Sequence, residues 1–421
     1  MTLALGIDVG TSGVRTAVLD ADGQVISTAR ADHLRQPSDQ FDANLWWDAV
    51  QTCIQRQVTA LDAQGHSGAE ITRIAVDGTS GTMVITDSNL NPVTPALMYN
   101  SSGFTAEAAR IDQLAPPVHI TRGTNSALAR AMRLAGQARG RHLLHQADFV
   151  AAKLTGRGGL SDHNNALKTG FDPATGRWPD WAAELIDPTL LPDPRPVGDV
   201  FDQITPAVAT GLGLSPDAVV CAGTTDSIAA FMACAPLAER TAVTSLGSTL
   251  AIKMLSPTRI DDPSIGLYAH RLGDHWLVGG ASNTGGAVLA AHFTSEDLKT
   301  LSGKIDPEQR SSLDYYPLLK PGERFPINDP DLLPRLTPRP ANDVNFLHGL
   351  LDGIARIEAL CYQEIEGRGG GKPAQIFTAG GGSQNPTWTK IRAHRLGFTP
   401  QVSAETEASV GAARVAQMHA V

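Results

Sequence analysis

Apolar and polar positions alternate in short bursts at the start of the chain, and the bursts predict a three-strand meander. Residues 3–8, 14–20 and 24–29 are the strands, and Asp22-Gly23 is a hairpin turn between the last two. Residues 46–61 then follow a helical period, and the β-branched run 73–76 predicts another strand. From 105 to 154 the pattern reads as mostly helical, interrupted at Pro116-Pro117. Residues 215–221 lead from a turn into a short strand. Half a chain later the opening recurs: strands at 242–246 and 250–254 flank Gly247-Ser248-Thr249, and a hairpin follows at 266–272 and 275–278. A strand at 375–378, a triple-glycine turn and a helix over 386–396 come near the end. The repetition predicts two related α/β domains, each opening with a glycine-turn hairpin. Residues 307–340, rich in Pro and Asp, read as an irregular excursion, and 366–372 as a glycine-rich surface loop.

Composition narrows the class. The 421 residues include 41 Gly, a share above the roughly 7% of average usage. No three-residue glycine period exists, which excludes collagen, and no apolar run approaches the ~18 residues of a membrane span. A net charge of −9 argues against a nucleic-acid binder. The N-terminus runs straight into a strand pattern, so no secretory leader is expected. Cys53, Cys221, Cys234 and Cys361 are widely spaced, which predicts reduced, buried thiols in a cytosolic protein and no zinc site.

The glycines gather at strand ends, where the candidate chemistry lies. In Asp8-Val9-Gly10-Thr11-Ser12-Gly13, a turn without bulky Cβ groups lets backbone N–H groups approach a phosphate. Thr11 and Ser12 add hydroxyls, and Asp8 is placed to hold magnesium directly or through water. A plain hairpin with a capping Asp gives the same string. Thr244-Ser245-Leu246-Gly247-Ser248-Thr249 offers the same chemistry without a carboxylate, and two such hairpins can grip a polyphosphate from both sides. Thr378-Ala379-Gly380-Gly381-Gly382-Ser383-Gln384-Asn385 places backbone near a flat ligand, with Asn385 and Trp388 beside it. The bland alternative is a loop whose Pro386 opens a helix. Asp226, in Gly223-Thr224-Thr225-Asp226-Ser227, is either a helix N-cap or a general base facing a substrate hydroxyl. Asp77-Gly78-Thr79-Ser80-Gly81-Thr82 suits a polyol, with Ser80 singled out. In Gly279–Gly286 the first two glycines serve packing, and Asn283 stays open. Gly367 to Lys372 imitates a P-loop, but its spacing is one short and Pro373 replaces the required Ser or Thr. His142 and His145 are three apart on an expected helix and lack a third metal ligand. His163 and Lys168 form a polar cluster, either lining a sugar site or solvated.

Taken together, these motifs resemble the FGGY family of carbohydrate kinases. The resemblance rests on the ordered set from Gly6-Ile7-Asp8 through Asp77 to Thr82, Ala222 to Asp226, Leu246 to Thr249, Gly279 to Asn283 and Ala379 to Asn385. It implies an α/β fold of two ribonuclease-H-like domains, of the actin and sugar-kinase ATPase superfamily, flanking a catalytic cleft. The implied sugar-binding domain is 1–228, the ATP-binding domain is 229–401, and a helix within about 402–421 packs back on the first. The reaction implied is ATP- and Mg2+-dependent transfer to the terminal hydroxyl of a ketose. Asp226 would accept the hydroxyl proton, and Asp8 would orient magnesium. Thr11 and Ser12 would hold the transferring phosphate, and Gly247, Ser248 and Thr249 the other end of the triphosphate. Gly380, Gly381, Asn385 and Trp388 would frame the adenosine. The 77–82 loop lacks the family's frequent Gln-Met-His, Ser101 stands where many members carry Asp, and the chain is short. These departures look most like the D-ribulose kinase branch, in which residues matching Asp8, Ser80 and Asp226 contact the ketose. D-Xylulose is the alternative substrate, and an actin-like ATPase coupled to a protein partner is the alternative of another class. The expected enzyme is cytoplasmic, a monomer or homodimer, with no nucleic-acid or membrane partner.

Overall fold

The computed structural model describes residues 2–33 and 41–419. The chain divides into two compact units, one of residues 1–233, 270–273 and 407–421, the other of 234–269 and 274–406.

The first unit is built on six strands: β1 (Leu3–Val9), β2 (Gly13–Leu19), β3 (Val25–Asp32), β4 (Ile71–Gly78), β5 (Val200–Gln203) and β6 (Val219–Thr225). Their order is β3-β2-β1-β4-β6-β5, antiparallel through the opening meander and parallel from β1 to β4 to β6. Every residue of β1 is buried, as a central strand covered on both faces requires. Helix α1 (Asn44–Asp62) covers one face with Trp46, Val50, Cys53, Ile54 and Leu61, a helical-period stripe that joins the β1–β4 core. The helix Ala408–Gln417 lies against β1, β2 and β4. It comes so near that a Cβ on Gly6 would stand 2.0 Å from the Ser409 carbonyl oxygen. Glycine at position 6 is therefore a packing requirement rather than a turn signal.

The second unit repeats the plan with β7 (Thr241–Leu246), β8 (Leu250–Ser256), β9 (His275–Ser282), β10 (Gln375–Ala379) and β11 (Gln401–Val402). The order is β9-β8-β7-β10-β11, with Tyr268–Leu272 as a sixth strand beside β9. Again the meander is antiparallel, and β7, β10 and β11 are parallel. Helices α2 (Asp343–Ile365) and α3 (Pro386–Leu396) pack together over this sheet's core. In both units the first strand lies between the second, antiparallel to it, and a later parallel strand, which is the duplication expected from the recurring hairpins.

Two local expectations are corrected. The 105–154 stretch is mostly helical as expected, but its helices Thr105–Leu114, Ala127–Gln137 and Gln146–Thr155 surround a strand, His142–His145, paired with Met83–Thr86. His142 and His145 therefore sit on a strand. Four residues with two leucines carry no period that separates strand from helix. Residues 366–372 are not a free loop either. Glu366–Gly370 continues α2 as a wide turn, pinned by Arg368 to Asp262 and Glu364, with Gly370 buried. The 307–340 excursion has no regular element, as expected. All four cysteines are buried, and none is in a disulfide. Among the described residues, no helix is long and apolar enough to cross a membrane.

Candidate active site

Parallel strands end together, and ligands of open α/β sheets collect at those carboxyl ends. In the first unit, β1 and β4 are in register so that Asp8 lies opposite Asp77, and β6 places Thr224 opposite Asp77 on the other side. Asp226 follows immediately as the first residue of the helix Asp226–Cys234. Three carboxylates therefore gather at the ends of three adjacent strands. Burial pushes the Asp8 carboxyl up, against the opposing pull of Arg15, whose Nη1 donates to Asp8 Oδ2 at 3.2 Å. Asp77 is fully buried, and neither of its carboxylate oxygens accepts a hydrogen bond from a described residue; its side chain faces that of Asp8, a contact that only a protonated carboxyl can turn into a hydrogen bond. Burial, then the charges of Asp8 and Asp226, drive its carboxyl well above the ordinary range.

The surroundings of this acid cluster are buried and polar. Thr79 is spent on Gln146, through its N–H at 2.9 Å and its hydroxyl at 2.7 Å. Arg130, 3% exposed, gathers the loop: its Nε donates to Gly81 O, and its Nη1 to the carbonyls of Tyr99, Ser101 and Asn125. Burial lowers that guanidinium to about 10, so it stays charged at neutral pH. Ser80, half-buried, sits in the turn that this arginine shapes. Asp162 caps the short helix His163–Lys168, and Asn164 and Asn165 of that helix bond to Thr224 at the end of β6. His163 and Lys168 thus belong to a helix tied to the acid cluster's strand, not to a solvated loop. His145 is buried with both ring nitrogens unpartnered, and burial lowers it to about 3, so it is neutral. The unpartnered buried atoms Thr225 Oγ1, Gln146 Nε2 and Asn164 Oδ1 belong to the same group of elements. Orphaned buried polar atoms are costly, and such a concentration points to a polyhydroxylated ligand.

The opening hairpin keeps its turn shape through Gly10 N–H to Gly13 O, leaving Thr11 and Ser12 exposed at its tip.

In the second unit, a cavity of about 840 Å³ lies at the matching sheet end. Gly247 and Ser248 form one wall, Gly381 and Gly382 another, and Ala287, Ala290 and Leu298 an apolar side. That volume lies within the range of small-molecule and cofactor sites. Gly380 (φ 84°) lets the triple-glycine turn pass the β7 end, where a Cβ would stand 2.7 Å from Leu246 backbone. Thr249 is exposed at the hairpin tip. Trp388 is 1% exposed and donates its indole N–H to Leu351 O, so it contributes wall rather than a stacking face. Asn385 is spent as well: its Oδ1 caps α3 at Trp388 N, and its Nδ2 donates to Ser302 Oγ. Asn283 is structural, its N–H donating to Glu323 and its side chain to Gly322 O.

Ser80 is marked by its motif, whereas Asp77, Gln146, His145 and the Ala287–Leu298 wall emerge only from the fold. Asp77 had one visible signal. It closes its strand just as Asp8 and Asp226 close theirs.

Comparison with known proteins bears on this geometry. Residues 3–127 match the model of the FGGY family of carbohydrate kinases, N-terminal domain, and 242–420 that of its C-terminal domain. The chain belongs to the FGGY family of carbohydrate kinases, and is an ATP-dependent sugar phosphotransferase. It is 22% identical to a xylulose kinase of Staphylococcus xylosus, over 99% of this chain and 91% of that protein. It is also 22% identical to a gluconokinase of Bacillus subtilis, over 78% and 69%. Among solved structures, a xyloylose kinase from Brucella ovis superposes with a TM-score of 0.87 at 21% identity, covering 99% of this chain and 90% of that one.

Asp77→Asn tests the cost of the acid cluster. Below the unfolded carboxylate pKa of about 3.9, folded and unfolded chains are both protonated there and the substitution is neutral. As pH rises from there through the raised folded value, only the unfolded chain readily gives up the proton, so native Asp77 increasingly destabilises the fold. Asparagine removes that penalty and can donate to Asp8. At pH 7 the variant is expected to melt about 2–4 °C higher, from a gain of about 1 kcal/mol, while losing sugar turnover. Thermal melts at pH 4 and pH 7 check the sign, because the gain must shrink at the lower pH.

Proposed function

We propose that the first unit holds a five-carbon ketose at Asp8, Asp77, Ser80 and Asp226, and that its terminal hydroxyl receives the ATP γ-phosphoryl group. The gathering of three carboxylates at adjacent strand ends is the observation that carries this reading. Phosphoryl transfer passes through a loose transition state, so positioning and charge neutralisation matter more than strong deprotonation. Asp226 accepts the hydroxyl proton as the new O–P bond forms. The neighbouring Asp77, held above the ordinary carboxylate range, is able to donate a hydrogen bond to a sugar oxygen. In the second unit, the 840 Å³ cavity takes the adenosine, and Gly247, Ser248 and Thr249 take phosphates through backbone N–H groups and hydroxyls. Thr11 and Ser12 hold the transferring group.

Magnesium is the usual companion of such a nucleotide, and the residues fit it. Asp8, near the end of β1 and close in the chain to the exposed Thr11–Ser12 tip, is a hard carboxylate oxygen donor. Among the described residues, no group of three or more His, Cys, Asp or Glu forms an all-protein cage. That suits an ion completed by water and phosphate. When bound, the ion would neutralise phosphate charge.

The departures in the 77–82 loop favour D-ribulose, giving D-ribulose 5-phosphate, and the names of the relatives favour D-xylulose as a second reading. Comparing kcat/KM for D-ribulose, D-xylulose, gluconate and glycerol, with 31P NMR of the products, separates them. A D-ribulose preference of about tenfold or more, roughly 1.4 kcal/mol, is expected. A xylulose preference would sink the ribulose assignment, and gluconate or glycerol as best substrate would sink the pentulose reading altogether.

A further inference from the structure

A second cavity in the second unit, of about 480 Å³, stands apart from the nucleotide cavity and shares none of its lining residues. Four arginines reach it: Arg310, Arg335, Arg356 and Arg395. The lining holds one carboxylate, Asp314, which Arg335 and Arg356 share at 3.0 and 2.6 Å. Arg395 is gripped from outside the lining by Asp352, through bonds of 2.8 and 2.5 Å. Arg310 has no hydrogen-bond or ion-pair partner among the described residues. In a chain of net charge −9, the lining alone carries four positive charges against one negative. The Asp314 side chain is 67% exposed, so the anion now bridging two guanidiniums is held only by surface ion pairs and is easily displaced. Ile327, Ile357 and Leu360 supply an apolar side.

Guanidinium forks match phosphate oxygens, and the Asp314 carboxylate between two of them already mimics one. We propose that this cavity is a regulatory site for a small phosphomonoester, with the phosphate replacing Asp314 between Arg335 and Arg356 under Arg310, and the carbon skeleton against Ile357 and Leu360. The route to the nucleotide is helix α3. Pro386, Thr387 and Trp388 in its first turn line the nucleotide cavity, and Arg395 in its last turn lines this one. A ligand that draws Arg395 from Asp352 pulls on the far end of the same rigid element.

The test titrates full-length protein saturated with ADP, using glycerol 2-phosphate and inorganic phosphate against sodium chloride at matched ionic strength. Saturable binding of the ester is expected, tighter than inorganic phosphate, and weakened about tenfold or more in Arg310→Ala/Arg335→Ala. Both arginines are exposed, and circular dichroism melts confirm that the double variant folds. The ester is expected to change the KM for ATP of the native enzyme and not that of the variant. Binding unaltered by the double substitution, or reproduced by chloride, would overturn the site. Phosphate binding as tightly as the ester would overturn the ligand class, and a KM for ATP indifferent to bound ester would overturn the link through α3.

Discussion

Asp226→Ala is expected to lower sugar phosphorylation by about 100- to 10,000-fold in kcat, the usual worth of a positioned general base. ADP affinity should change by less than about threefold, because the cavity proposed for the nucleotide is lined wholly by residues of the other unit. Steady-state ADP release and calorimetric ADP binding measure the two effects. The same substitution removes one of the charges that raise Asp77, so Asp77 should ionise more readily in the variant. Sugar-dependent turnover surviving the change would remove Asp226 from the chemistry.

The largest stability loss is expected from Glu358→Ala. Arg392 and Glu358 pair bidentately at 2.6 and 2.7 Å with both side chains 1% exposed. Arg392 Nη1 also donates to Thr378 Oγ1 on β10, and Thr244 on β7 donates to Glu358 at 2.6 Å. This network joins α2, α3 and the two central strands β7 and β10. Removing the carboxylate leaves a buried guanidinium without its counter-ion, which costs about 3–5 kcal/mol. Replacing both partners by apolar residues of similar volume should cost far less, since the desolvation of two charges is recovered. Chemical denaturation of the single and double variants measures the difference. Equal losses in both would mean that the pair is not the anchor described.

The duplicated architecture was legible because its signals are local. Each half opens with a short apolar strand, a glycine turn and another strand, and the repeat survived inspection of Asp8–Gly13 against Leu246–Thr249. Helix α3 was equally plain, with Pro386 at its first position and Gly397 closing it in a left-handed cap. The His142–His145 strand was not, because its partner Met83–Thr86 lies far away in the chain and pairing is invisible to a local window. Candidate site residues divide along the same line. Asp8 and Asp226 stood out by their motifs. Asp77 matters because β1, β4 and β6 set it between them, a fact of register rather than of spacing. Asn385 and Trp388 both line the second unit's cavity, but their side chains also serve the fold. Spacing beside a glycine turn marks such residues, and only the fold shows that one is also a helix cap and the other also core.

The chemical logic of the cluster is a trade of stability for binding. Asp77 is buried with no donor to its carboxyl oxygens, His145 is buried without a partner, and Gln146 Nε2 is left idle. A sugar supplies hydroxyls that donate to carboxylates and accept from amides, so its arrival would settle several of these groups together.

The central claim is that this polar end binds a sugar whose hydroxyl takes the phosphoryl group. It is tested most directly by ADP release from ATP as pentulose concentration rises. The account predicts a saturable rise, at least about 100-fold above the sugar-free rate, because hydrolysis lacks the positioned hydroxyl. An ATPase rate that is the same with and without any sugar would contradict it and favour an actin-like ATPase.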